Sequence, residues 1–267
     1  MKTKIIFIGI DGLILQRAID SDKAQCLKRL QSDCYFSPML VDLPTVSGPS
    51  WTTLLTGVTQ EIHRVRDNEF RDHALDLAPD FLTLARKKFN DISTYAAAGW
   101  PPLIDPNDVG PVIATHARDQ ASGRHKIFVR DGETHGYEKV DREVAEDAIS
   151  TISAEGPDLS FIYFCGADEA GHLEGTLKGG YFDAIARIDS YLEKIYAAIL
   201  KRTSELHERW LIIITTDHGH RDQGGHGGDT PQERASFVIA HGVGRENPAW
   251  PKEIKPQDLA HHILSTL

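Results

Sequence analysis

Three strongly apolar runs, residues 4–10, 159–165 and 210–214, each lead into an aspartate: Asp11, Asp168 and Asp217. A run that is apolar on both faces reads as a central strand of a parallel sheet, because helices on both sides are needed to take both faces out of water. In such sheets ligands collect beyond the carboxyl ends of the strands. Three strands therefore bring three carboxylates to one edge. Like charges a few ångströms apart raise one another's pKa and destabilise the fold unless a cation neutralises them. The third run continues through Asp217 into His218 and, eight residues later, His226 on a glycine-rich stretch. Glycine accepts positive φ at little cost, so that stretch is free to bend back over the edge. His172 follows Asp168 by four residues, one helical turn or a tight loop away, a spacing at which the two grip one ion together. Carboxylates mixed with imidazoles suit zinc or manganese.

Strand and helix patterns alternate along the 267 residues. They predict an α/β fold, a doubly wound and mostly parallel sheet with helices on both faces, in one domain over residues 1–267. Helical patterns cover residues 13–30, 51–57, 78–89, 141–153, 181–202 and 256–267, and further strands fall at 92–98 and 236–240. In the longest helix Ile185, Ile188, Leu192, Ile195 and Ile199 recur at helical spacing and read as core. Residues 103–137 show no core pattern except at 126–130, which run into Asp131 and Gly132 like a hairpin turn. The segment reads either as a small cap inserted over the site or as a solvated excursion.

A hydrophobic content of 40% supports one sizeable core. A net charge of -10 argues against a protein that coats nucleic acid, which needs a basic face. Cys26, Cys34 and Cys165 are odd in number and lack CxxC spacing, and Cys165 falls in a predicted core strand, so reduced thiols in a cytoplasmic protein are expected. No run approaches the ~20 apolar residues of a membrane span, and no secretory leader is expected.

Ser47 lies in the stretch Pro44, Thr45, Val46, Ser47, Gly48, Pro49, just ahead of the short helix closed by Gly57. Free backbone N–H groups and the helix dipole stabilise anions at such a position, including a phosphoryl group under attack. An ordinary N-cap serine occupies the same place.

Taken in order, five elements resemble the alkaline phosphatase superfamily, most closely its type I phosphodiesterase and nucleotide pyrophosphatase branch. They are Asp11-Gly12, the Pro-Thr-x-Ser-x-Pro stretch around Ser47 ending in Thr56-Gly57, the Asp168/His172 pair, Asp217-His218-Gly219 and His226-Gly227. The resemblance spans nearly the whole chain. It implies two divalent metal ions, zinc or alternatively manganese. One would be held by Asp168, His172 and His226, the other by Asp11, Asp217, His218 and Ser47. It further implies in-line attack by Ser47 on a small-molecule phosphoester, a phospho-Ser47 intermediate, and Asn68 as a donor to a non-bridging phosphoryl oxygen. From spacing alone Asn68 also reads as a turn residue after Asp67.

The branch usually carries Thr where this chain has Ser47, which is closer to the monoesterases, so phosphomonoester hydrolysis is the alternative activity. Thr45 and Ser50 are the rival hydroxyls, and Arg64 and Arg66 lie near Asn68 in sequence. Trp51, Phe70 and Trp100 are candidates to stack on a flat leaving group or, equally, to fill the core. A sulfatase reading lacks the arginine of the formylglycine setting, and a serine-triad hydrolase lacks a Gly-x-Ser-x-Gly elbow. A metal-binding scaffold without turnover would have no use for a hydroxyl nucleophile beside the six ligands.

Overall fold

The computed structural model describes residues 2–267. Its centre is a seven-stranded sheet in the order β2-β7-β6-β1-β5-β3-β4. The strands are β1 (Thr3–Ile10), β2 (Tyr35–Leu40), β3 (Thr94–Ala98), β4 (His125–Val129), β5 (Leu159–Phe164), β6 (Arg209–Thr215) and β7 (Ala235–Val243). β1 runs parallel to both β5 and β6, and β3 runs parallel to β4 and β5. Only β7 runs the other way, pairing antiparallel with β6 and β2. The fold is the mostly parallel, doubly wound α/β arrangement that the alternating patterns predict.

The period of two along β1 divides the core. Ile5 and Phe7 face one layer, with Trp51, Leu54 and Leu55 of α3 (Ser47–Thr56), Phe81 and Leu82 of α4 (Phe81–Lys88), and Ile263 of α8 (Leu259–Thr266). Ile6, Ile8 and Ile10 face the other. There they meet α1 (Leu15–Asp20), α2 (Gln25–Ser32), α5 (Tyr137–Ala154) and the long α7 (Gly179–Leu206). All five aliphatic residues predicted as the core stripe of α7 are buried. The helix α6 (Gly166–Glu174) follows β5. Among the described residues no helix is long and apolar enough to cross a membrane.

Three parts depart from the sequence reading. The pattern at 13–30 is two helices, broken where Ser21 turns back on Ala18 O and accepts from Lys23 N–H. The new N-terminus is satisfied from a distance, as Cys26 and Leu27 N–H both donate to the carboxylate of Asp189 on α7. β2 has no strong apolar signature because it is an edge strand, and it carries Pro38, which edges tolerate. The hairpin expected at 126–130 is instead β4, the other edge of the sheet. The segment therefore contributes an edge strand to the sheet layer. It is anchored by a buried polar cluster: Arg86 pairs with Asp119 at 3.2 Å and donates to Thr94 Oγ1 at 3.0 Å and to Ala114 O at 3.2 Å. An ion pair in place of an apolar face explains why hydrophobic periodicity vanished there.

Candidate active site

β5, β1 and β6 are neighbours, and their registers place Ile10 opposite Phe164 and Gly9 opposite Thr215. The carboxyl ends therefore come level, and Asp11, Asp168 and Asp217 converge as the apolar runs predict. Asp11 Oδ2 accepts from Trp51 Nε1 at 2.9 Å and Tyr163 OH at 2.6 Å. A glycine is required at position 9, since a Cβ there would lie 2.3 Å from the Trp51 ring. Asp11 Oδ1 and Asp217 Oδ2 are buried and have no partner. A buried carboxylate oxygen without a donor is costly, and two of them facing one space call for a cation.

His218 Nε2 lies 3.2 Å from Asp217 Oδ2, 3.6 Å from Asp11 Oδ1 and 3.2 Å from Ser47 Oγ. Its Nδ1 is 3.1 Å from Gly219 O, and since a carbonyl only accepts, Nδ1 carries the proton and Nε2 turns a lone pair toward the carboxylates. His226 is arranged alike: Nδ1 donates to Thr45 O at 2.6 Å. Its Nε2 faces His172 Nε2 at 2.9 Å and Asp168 Oδ1 at 3.5 Å. Asp168 and His172 lie on α6, which decides the four-residue spacing in favour of a helical turn, with Nε2 3.5 Å from Oδ2.

Two groups have ligand atoms within 4.8 Å of one another: Asp168, His172, His220 and His226, and Asp11, Asp168 and His218. Asp217 adjoins the second through His218. All six sequence-predicted protein ligands are thus brought together, and a seventh side chain, His220, joins them. Sequence spacing missed it because one more histidine in a polar turn carries no signal of its own. Burial and then the charge of Asp11 push Asp168 up to about 7, and burial with Asp11 and Asp168 pushes Asp217 well above the ordinary range. Burial, followed by the neighbouring imidazoles, holds His218 far below its usual value. Uncompensated carboxylates beside neutral imidazoles fit a divalent metal ion.

Val46 occupies the N-cap of α3, so Ser47 is the first helical residue and not the cap. Its Oγ faces His218 in place of the helix end. Thr45, by contrast, is fully used: its hydroxyl donates to Gly228 O and accepts from Gly227 N–H, which ties the nucleophile segment to the His226 loop. Asn68 Oδ1 accepts from Gly48 N–H at 2.7 Å, leaving its amide N–H groups to donate elsewhere. Only glycine fits at position 48, where a Cβ would meet Asp67 O at 2.5 Å. A cavity of about 300 Å³ opens beside Ser47 and Asn68, walled by Trp100, Tyr137, Glu133 and Glu169. Of the three aromatic candidates only Trp100 lines it, and all three are buried in the same core cluster. Arg64 and Arg66 are exposed and do not line it. Glu133 and Glu169 carried no sequence signal, since an isolated glutamate on a helix reads as solvated surface.

The sequence profile of the family described as type I phosphodiesterase/nucleotide pyrophosphatase matches residues 5–227. The chain belongs to this family. Curated relatives include GPI ethanolamine phosphate transferase 1 of Yarrowia lipolytica, 25% identical over 82% of this chain and 23% of that protein. The catalytic subunit of human GPI ethanolamine phosphate transferase 2 is 24% identical over 84% of this chain and 20% of that protein. The chain spans about a quarter or less of these relatives' length. Among solved structures, murine ectonucleotide pyrophosphatase/phosphodiesterase 5 in complex with AMP superposes with a TM-score of 0.68 at 15% identity, covering 99% of this chain and 95% of that one. A 2-O GAG sulfatase gives 0.72 at 13% identity, over 100% and 70%. Phosphonoacetate hydrolase from Sinorhizobium meliloti gives 0.68 at 11% identity, over 99% and 96%. At these identities the likeness is one of fold, the alkaline phosphatase-like fold.

Proposed function

We propose that the chain cleaves small-molecule phosphodiesters, including those of the nucleotide pyrophosphatase type, with Ser47 as nucleophile and two divalent ions, zinc or manganese. One ion would be held by Asp168, His172 and His226, the other by Asp11, Asp217, His218 and Ser47. The observation that carries the reading is the Ser47 Oγ at the start of α3, 3.2 Å from His218 Nε2 and on the same cavity wall as Asn68. When bound, the ions would supply Lewis-acid stabilisation of the phosphoryl oxygens and a lowered hydroxyl pKa. The chain's own groups do the rest. Ser47 Oγ forms a bond to phosphorus as the bond to the leaving oxygen breaks, and its proton passes to solvent. The positive end of the α3 dipole faces the developing charge, and the Asn68 amide donates to a non-bridging oxygen. Water then displaces Ser47 and releases a phosphomonoester. Three free thiols, two of them buried, support a reducing compartment such as the cytoplasm.

A second reading, transfer of a phosphoethanolamine group to an alcohol acceptor, is favoured by one observation besides the relatives' names. Among the described residues the cavity is lined by Glu133 and Glu169 and by no Lys or Arg, a wall that repels a further phosphate and attracts an ammonium. Parallel rates on bis-p-nitrophenyl phosphate, p-nitrophenyl phosphate, p-nitrophenyl thymidine monophosphate and p-nitrophenyl phosphoethanolamine, with and without glycerol as acceptor, test both. Diesters are expected to outrun the monoester. A preference for p-nitrophenyl phosphate overturns the diesterase reading, and a glyceryl product in place of the hydrolysis product supports transfer.

A further inference from the structure

The side chain that metal-site spacing did not find, His220, has a place made for it. Its ring is fully buried, and two glycines flank it. A Cβ on Gly12, at φ +63, would lie 2.7 Å from His220 Nε2, and a Cβ on Gly171 would lie 2.9 Å from Cε1. Gly171 sits inside α6 between Asp168 and His172, where glycine weakens a helix. A Cβ at either position would force the ring to shift, and at Gly12 the positive φ and the Asp168 carboxylate ask for glycine as well. The backbone is held as well: Gln232 donates to His220 O, and Arg17 pairs with Asp222 two residues on. Thr176 N–H donates to Asp222 O at 3.1 Å.

In this slot His220 Nε2 stands 2.6 Å from Asp168 Oδ1. As a metal ligand Asp168 is ionised and only accepts, so Nε2 carries the proton and Nδ1 is left without a partner, as observed. The proton on Nε2 leaves that atom no lone pair for an ion. We infer that His220 is a positioning residue for Asp168. Its hydrogen bond fixes the carboxylate so that Oδ2 stays directed toward His172, 3.5 Å away, while Oδ1 is occupied. Partners of this kind, which hold a metal ligand without touching the metal, are worth ten- to a hundredfold in metal affinity. The inference rests on the reading of Asp168, His172 and His226 as a metal site.

The test is a zinc titration of the purified chain against a competing chelator, reading affinity for each equivalent rather than turnover, with melting curves to confirm folding. Wild type is expected to bind two equivalents. His220→Ala is expected to weaken one equivalent by about ten- to a hundredfold and leave the other unchanged. His220→Gln keeps an N–H donor and is expected to recover most of the loss. Gly171→Ala, which displaces the ring and leaves its nitrogens intact, is expected to weaken the same equivalent and keeps the test decisive if His220→Ala does not fold. Unchanged affinities in His220→Ala and Gly171→Ala overturn the inference. Complete loss of one equivalent in both His220→Ala and His220→Gln overturns it in favour of direct ligation. A wild type that binds no zinc refutes the metal site itself, a result distinct from either.

Discussion

The two halves of the ligand set are built by different means. Asp11, Asp217 and His218 hang from the ends of adjacent central strands and are 1%, 0% and 0% exposed. Trp51, Tyr163 and Gly12 N–H orient the carboxylates, and Gly219 O orients the imidazole. The other half is assembled from a helical turn and a loop: Asp168 and His172 on α6, and His226 on a stretch where Gly224, Gly225 and Gly227 all take positive φ. The His172 side chain is 47% exposed. Sheet register fixes the first half, which has no route to relax short of breaking the core. The second depends on hydrogen bonds between separate segments: His226 Nδ1–H to Thr45 O, the Thr45 hydroxyl to the backbone of Gly227 and Gly228, and His220 to Asp168. The first half is therefore expected to hold its ion tightly and the second to exchange.

The largest expected effect joins the halves. Ser47→Ala should lower diester turnover by about a thousandfold or more while zinc content stays near the wild-type value, since removal of a nucleophile abolishes the covalent route. Near-normal rates in Ser47→Ala, with loss in Ser50→Ala, would move the nucleophile. Next, Asn68→Ala should slow diesters by about ten- to a thousandfold without altering either zinc affinity, the usual consequence of removing one transition-state donor. An unchanged diester rate would return Asn68 to the status of a turn residue.

The comparison itself is sharpened by two variants of similar chemistry. Asp217→Asn should lose its zinc equivalent and stay inactive in excess metal. His172→Ala should weaken one equivalent by about ten- to a hundredfold and recover activity as zinc is added. Equal behaviour of the two would erase the distinction between a fixed and an assembled half.

The smallest effect is on stability. Burial and Asp11 raise the Asp168 carboxyl from an ordinary 3.8 to about 7. In chelator the folded chain then holds this proton more tightly than the unfolded chain. Its contribution to stability is present below the unfolded value and is lost as pH rises to about 7. Asp168→Asn should accordingly gain melting temperature over wild type between pH 5 and pH 7.5 in chelator, and lose that advantage when zinc is supplied. A difference that does not vary with pH would mean that Asp168 is not strained by its surroundings.

How much of this was legible in the sequence follows from how local each signal is. The convergence of Asp11, Asp168 and Asp217 was readable because each aspartate sits next to its own apolar run, and parallel packing does the remainder. The core stripe of α7 and the αL Gly57 that ends α3 were readable for the same reason. His220 was not, because its role is set by Gly12 and Gly171, far away in sequence. Glu133 and Glu169 acquire meaning only when the short helical turn Gly132–His135 and α6 are brought to one wall beside Trp100. The break between α1 and α2 depends on Asp189, and β4 on the buried pair of Arg86 and Asp119.

The central claim is a two-step displacement through Ser47, and the configuration at phosphorus tests it most directly. A phosphorothioate diester of one hand, cleaved to completion in isotopically labelled water, gives a product whose configuration can be assigned. Each in-line displacement inverts phosphorus, so attack by Ser47 followed by attack of water predicts net retention. Net inversion would mean that water attacks the substrate directly and would contradict the account.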